Sequence, residues 1–161
     1  MRALLILTAV DLEARGLARH LGLTSVAGSP WPHFRGGAVE LASVGLRAAA
    51  LPARASRLRR PALVISAGAC GALAPELAEG ALVVPEVVVT DDGRRSATAA
   101  LAGLEARGTL VSVTRVVTSS ADKARLWMET GAIACDMESA AIVETAIETI
   151  NITDFGTAVT T

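Results

Sequence analysis

Along this chain, apolar runs of strand length alternate with longer Ala- and Leu-rich stretches, the pattern of an α/β domain with a largely parallel sheet. The apolar runs fall at Ala3 to Thr8, Val39 to Val44, Ala62 to Ser66, Ala81 to Val89, Thr109 to Val117 and Ala132 to Cys135. Between them, helices are predicted over Leu12 to Leu21, Leu46 to Leu58, Ala97 to Ala106, Ala121 to Glu129 and Met137 to Ile150. Gly28-Ser29-Pro30-Trp31-Pro32 and Asp91-Asp92-Gly93 carry turn chemistry, because proline and glycine interrupt both regular periods. An open sheet binds ligands in the crevice outside the carboxyl ends of its strands. Polar residues gather at those ends: Thr8 to Glu13, Ser43 to Arg47, Ser66 to Leu73, Thr118 to Lys123, and the segment Cys135 to Ser139 that opens the last long helix.

Composition narrows this picture. A length of 161 residues suits one domain, and 52% hydrophobic against 19% charged residues suits a sheet buried on both faces and excludes disorder. Fifteen basic against sixteen acidic residues leave a net charge of -1, so no polyanion footprint exists and nucleic acid is not an expected partner. Arg54, Arg57, Arg59 and Arg60 close a helical stretch, where cations complement the negative helix end and stay solvated. Cys70 and Cys135 lack CxxC or Cys/His spacing, which gives neither a disulfide framework nor a metal site and makes them small core residues. The apolar start is shorter than a membrane span and runs into Asp11 and Glu13 without a cleavage pattern, as expected of a first buried strand in a cytoplasmic protein. Among the few aromatic residues, Phe34 and Trp127 are read as core anchors.

Two segments carry chemistry. Ser66-Ala67-Gly68-Ala69-Cys70-Gly71-Ala72 follows a strand, and its glycines let backbone N–H groups approach a ligand. It fits neither GxGxxG nor GxxxxGK[ST], and the first strand leads into Thr8-Ala9-Val10-Asp11, so a dinucleotide-binding domain is not indicated. Asp136-Met137-Glu138-Ser139-Ala140-Ala141 opens a helix of small apolar residues with two carboxylates. Asp136 there suits a helix start, whereas Glu138 enters a segment that must pack closely and needs a polar partner, which sugar hydroxyls supply.

Ala9-Val10-Asp11-Leu12-Glu13, Ser43-Val44-Gly45, the glycine segment through Leu73, and Asp136-Met137-Glu138-Ser139-Ala140-Ala141, in that order and spacing, resemble the purine nucleoside phosphorylase and methylthioadenosine nucleosidase superfamily. Pro75-Glu76-Leu77 and Glu79-Gly80-Ala81-Leu82-Val83-Val84 are similar to the stretch after the family's glycine loop. Residues 1–147 carry the resemblance; the tail 148–161 is atypical. Ser119-Ser120-Ala121-Asp122-Lys123 looks closest to the hopanoid-associated phosphorylase branch, with futalosine hydrolase a near neighbour.

The resemblance implies one three-layer αβα phosphorylase/hydrolase-like domain with a central mixed, largely parallel sheet, assembled as a homodimer or higher homo-oligomer. It implies cleavage of the N-glycosidic bond of a purine, adenosine-type nucleoside, by phosphorolysis or hydrolysis, without metal or cofactor and with phosphate as co-substrate in the first case. Glu13 then orients the attacking water as general base. Met137 and Glu138 clamp the ribose, Gly45, Gly68 and Ala69 form the loops beside ribose or phosphate, and Ser119 and Ser120 lie on the base side. Ala69 stands where many members carry a hydroxyl that touches the anion, which weakens a phosphate site. Family members continue into a further strand with an Arg-x-x-Ser-Asp pattern, whose Asp helps protonate the base, and a final helix. The tail from Asn151 to Thr161 lacks that pattern, and the acid role is not carried to Asp154. On this reading the chain is truncated at the C-terminus, a sheet edge stays uncovered, and the alternative is a catalytically impaired nucleoside-binding or dimerising module.

Overall fold

The computed structural model describes residues 3–161. Its strands are β1 (Leu4–Thr8), β2 (Thr24–Ser25), β3 (His33–Gly36), β4 (Val39–Ser43), β5 (Leu63–Ala69), β6 (Gly71–Ala72), β7 (Leu82–Val83), β8 (Val87–Thr90), β9 (Arg95–Ala97), β10 (Thr109–Ser112), β11 (Ala134–Asp136) and β12 (Phe155–Thr160). The helices are α1 (Asp11–His20), α2 (Leu51–Arg54), α3 (Ser120–Thr130) and α4 (Ser139–Ile150). A seven-stranded sheet runs in the order β2-β3-β4-β1-β5-β12-β7, and a five-stranded sheet in the order β6-β11-β10-β8-β9. The centres of both are parallel, β4-β1-β5-β12 in one and β8-β10-β11 in the other, and antiparallel strands flank each centre.

Alternation along the strands explains the layers, because successive side chains leave opposite faces of a sheet. Ile6 and Leu41 pack with Ala14 and Ala18 of α1. Leu5, Leu7 and Val64 face the other way, onto Ile142, Val143 and Ala146 of α4 and Leu51 of α2. Val88 and Leu110 of the small sheet join that same cluster, so α4 packs against both sheets. Val89 and Val111 on the opposite face meet Leu126 of α3. The mixed, largely parallel α/β architecture expected from the sequence is thus present.

Several expected boundaries move. The tail supplies β12, which lies parallel to β5 from Phe155↔Val64 to Thr160↔Ala69 and antiparallel to β7. The edge expected to be bare is therefore occupied by the tail itself. No helix forms over Ala97 to Ala106; Thr98 N–H bonds to Glu86, Ala99 N–H bonds to Phe155, and the buried Leu101 packs against Gly156. Bonds to neighbouring strands override the helical propensity of the alanines. The expected helix from Leu46 to Leu58 breaks because Arg47 and Ala48 adopt left-handed φ values of 52° and 57°. Only one α-helical turn, α2, remains between two 3₁₀ turns, Leu46–Ala48 and Ala55–Arg57. The run Ala81 to Val89 splits around Pro85 because β7 joins the large sheet and β8 the small one. β10 stops at Ser112, and the chain beyond it leaves the sheet. Of the arginines at the end of the broken helix, Arg54 is half-buried and Arg57, Arg59 and Arg60 are exposed; Arg54 and Arg57 lie 5.1 and 5.4 Å from the Trp31 ring centroid.

Candidate active site

At the carboxyl ends of β1, β5, β10 and β11 the chain encloses a cavity of about 270 Å³. Its walls come from the start of α1 (Val10, Glu13), the loop after β5 (Ala69 to Gly71), the segment after β10 (Val113, Arg115 to Val117) and the corner before α4 (Asp136 to Glu138). A recess of about 10 Å³ continues beneath it, bounded by Glu13, Ser66, Gly68, Asp136 and Glu138. Glu13 and Glu138, far apart in sequence, line both spaces.

Glu13 is held by backbone. As third residue of α1 it accepts a hydrogen bond from Val10 N–H through Oε2 at 3.2 Å, satisfying an amide that the first helical turn leaves orphaned. Its other oxygen accepts Ala69 N–H at 3.1 Å. The closeness explains Gly68: a Cβ there would stand 2.9 Å from Glu13 Oε1 and 3.2 Å from its Cδ.

Glu138 sits at an irregular corner, φ -120° and ψ -39°, between the end of β11 and the first turn of α4. Its oxygens accept Met137 N–H at 3.2 Å and Arg47 N–H at 3.5 Å. The left-handed backbone at Arg47, which follows the Gly45 turn at φ 78°, brings that amide to the carboxylate. Burial pushes the Glu138 carboxyl above its ordinary value, the charge on Asp136 adds to this and Glu13 contributes further, while the Arg47 and Met137 amides pull the other way. Asp136 is buried at 7% exposure, and burial pushes its carboxyl up against the opposing hydrogen bonds from Ser112 and Ser139.

Glu13, Gly68, Ala69, Met137 and Glu138 come together here as the sequence suggested, and Gly45 contributes through the turn that sets Leu46 into the wall. Ser119 and Ser120 do not join them. Both are exposed at the start of α3, where Ser119 Oγ accepts Asp122 N–H at 3.0 Å and donates to Asp122 Oδ2 at 2.8 Å. Their place near the cavity is taken by Val116 and Val117, which the reading of Thr109 to Val117 as one strand concealed. Phe34 is a core residue, but Trp127 is 39% exposed; neither lines the cavity. Cys70 and Cys135 line the wall rather than only filling core. Burial, then Asp136 and Cys135, pushes the Cys70 thiol up to about 12, so it stays neutral. The Cys135 thiol is also raised, by burial first.

Among the described residues, no group of three or more His, Cys, Asp or Glu side chains is arranged to hold a metal ion, and no helix is long and apolar enough to cross a membrane. A larger hollow of about 430 Å³ between Ser96 to Ala99 and Ile152 to Phe155 holds only one carboxylate, Asp154, and lacks the paired acids of the cavity above.

The family model described as the Phosphorylase superfamily matches residues 41–103, the span containing the Gly45 turn and the glycine loop. No curated protein matches the sequence. Among solved structures, the 5′-methylthioadenosine/S-adenosylhomocysteine nucleosidase of Neisseria meningitidis, in complex with methylthio-immucillin-A, is 21% identical. It superposes with a TM-score of 0.77 over 98% of this chain and 84% of that one. A futalosine hydrolase mutant of Helicobacter pylori gives 14% identity and a TM-score of 0.78 over 99% of this chain and 89% of that one. AMP nucleosidase of Bacteroides thetaiotaomicron gives 21% and 0.73 over 99% and 80%. Identities this low speak for the fold alone. The family match covers residues 41–103, and the likeness of fold runs over nearly the whole chain.

Proposed function

We propose that this chain cleaves the N-glycosidic bond of a purine, adenosine-type nucleoside, with water as the nucleophile. The observation that carries the reading is the convergence of Glu13 and Glu138 on one cavity. Cleavage at C1′ builds positive charge on the sugar, and carboxylates fixed beneath the ring stabilise that charge more than they stabilise the neutral substrate. Glu138 accepts hydrogen bonds from the ribose hydroxyls, and Met137 packs the sugar face. Glu13 takes a proton from the attacking water as the new C–O bond forms, and the base leaves with the electron pair of the C–N bond. The apolar wall of Val113, Val116 and Val117 suits a purine ring.

Water is favoured over phosphate by the recess. At about 10 Å³ it has room for about one water, which needs about 10–15 Å³. Glu13 also occupies the Ala69 amide that an anion would use, and a second negative charge there would be repelled. The exposed apolar residues Val10, Leu46 and Val116 at the cavity mouth support the homodimer or higher oligomer that the resemblance implies.

A base-release assay on adenosine and 5′-substituted adenosines, with and without phosphate, tests the proposal. Release independent of phosphate is expected. Release that requires phosphate would replace hydrolysis by phosphorolysis, and adenine or nucleoside binding without release would leave a binding module.

A further inference from the structure

Beneath Glu138 runs a buried polar network that the proposed chemistry does not use. Asp136 Oδ1 accepts from Ser112 Oγ at 2.5 Å, and Oδ2 accepts from Ser139 N–H at 3.0 Å and from Ser139 Oγ at 2.5 Å. With its proton given to Asp136, Ser139 Oγ accepts from Ser66 Oγ at 3.1 Å. Ser112 Oγ in turn accepts Ala140 N–H at 3.0 Å. All four side chains are buried, the most exposed at 7%.

They come from four different elements. Ser66 belongs to β5 of the large sheet, Ser112 to β10 and Asp136 to β11 of the small sheet, and Ser139 to the first turn of α4. A helix start normally caps its orphan amides with a nearby side chain; here one is capped by Asp136 and the next by a hydroxyl from a distant strand. The network brackets Glu138 on both sides in sequence, at Asp136 and at Ser139. Satisfied polar networks in a low-dielectric interior are stiff and specify one geometry.

We propose that Asp136, held by Ser112 and Ser139 and tied through Ser139 to Ser66, is a positioning residue that fixes the Met137–Glu138 corner so that Glu138 meets the ribose hydroxyls. Its own oxygens are taken by the network, so it acts through Glu138 rather than on the sugar. The proposal rests on the nucleoside-cleaving reading above.

The test is binding of a C-nucleoside analogue of adenosine, whose C–C bond to the base resists cleavage, and of its 2′,3′-dideoxy form, measured by calorimetry on the full chain for the wild type, Ser112→Ala, Ser139→Ala and Asp136→Asn. The asparagine keeps an acceptor for Ser139 N–H and guards against a variant that fails to fold. Wild-type preference for the ribose form is expected to fall about tenfold in both serine variants, as one buried hydrogen bond to a charged group is lost. Ser112→Thr is expected to restore it. A merely structural role would lower the melting temperature and leave the ribose preference intact, which would overturn the positioning role alone. A wild type that binds neither nucleoside overturns the functional reading as well.

Discussion

Glu13 and Glu138 face one cavity but are built by different means. Glu13 stands on a regular helix, and Val10 N–H, three residues before it, accounts for one of its oxygens. Glu138 stands on an irregular corner, among Asp136 and Glu13, and the groups that fix the corner come from β5, β10 and the Gly45 turn. Glu13 is placed by its own helix turn on one oxygen and by the distant Ala69 amide on the other, whereas the corner that carries Glu138 is fixed mainly by distant segments. A local device tolerates change around it, whereas a long-range one makes its acid depend on the packing of both sheets.

The most severe way to break the comparison is Glu138→Gln, which keeps the shape and removes the charge that holds the hydroxyls and faces the sugar cation. Turnover is expected to fall about 10³-fold or more, effectively abolished, by analogy with the loss of a fixed group aimed at transition-state charge. Circular dichroism should show the fold intact, and unchanged turnover would remove the ribose clamp from this account. Glu13→Gln comes next. It keeps an acceptor for one amide but cannot take a proton, so kcat should fall about 10²-fold. Single-turnover base release with saturating nucleoside would show this, and a change confined to KM would count against the base role.

What was legible in the sequence follows the same division. Glu13 was read from the resemblance, which sets it where the family holds a water-orienting glutamate after the first strand; the residues alone gave an exposed helical position. Glu138 was found from two carboxylates in an otherwise small and apolar segment. The regular strands and α1, α3 and α4 were also legible, since their periodicity is local. Glu138 apart, residues placed by distant contacts were not. Val116 and Val117 reach the cavity because β10 ends at Ser112, and nothing in Thr109 to Val117 marks that stop. The alanines after Ala97 favour a helix, yet Glu86 takes the amide of Thr98 and Phe155 that of Ala99. The tail gave no sign of β12, because its register depends on β5, some ninety positions earlier. Ser119 and Ser120 followed from family order, but here the hydroxyl of Ser119 serves the start of α3.

Gly68→Ala sharpens the comparison at the point where the two regions touch. The added Cβ would stand 2.9 Å from Glu13 Oε1, closer than such contacts allow, so the carboxylate must rotate off the Ala69 amide. Gly68 has ordinary backbone, so the substitution acts through this contact and not through strain at positive φ. A displacement on the order of 1 Å at a reacting group costs up to about 10²-fold; because a side chain can yield, about tenfold in kcat is expected. The KM for nucleoside should hold, since the ribose clamp lies on Glu138. A loss confined to KM would mean that the glycine serves the ligand directly rather than Glu13.

The smallest expected effect concerns stability and separates the acids by charge. Burial and Asp136 raise the Glu138 carboxyl, so the folded chain binds this proton more tightly than the unfolded chain does. Ionising it therefore costs stability: the cost is absent below the ordinary glutamate value, grows as pH rises toward the raised folded value, and is complete above it. Glu138→Gln removes that cost while abolishing turnover. At neutral pH the variant should melt about 2–4 °C higher for each 1 kcal/mol relieved. The difference should vanish below about pH 4, where the wild-type side chain is neutral in folded and unfolded chains alike. Each glutamine also leaves one partner amide unmatched, at Glu138 as at Glu13, so the pH dependence of the melting difference, rather than its value at one pH, reports the charge. A rise in melting temperature that persisted in acid would trace to packing and not to charge, and would remove the electrostatic contrast between the two sides of the cavity.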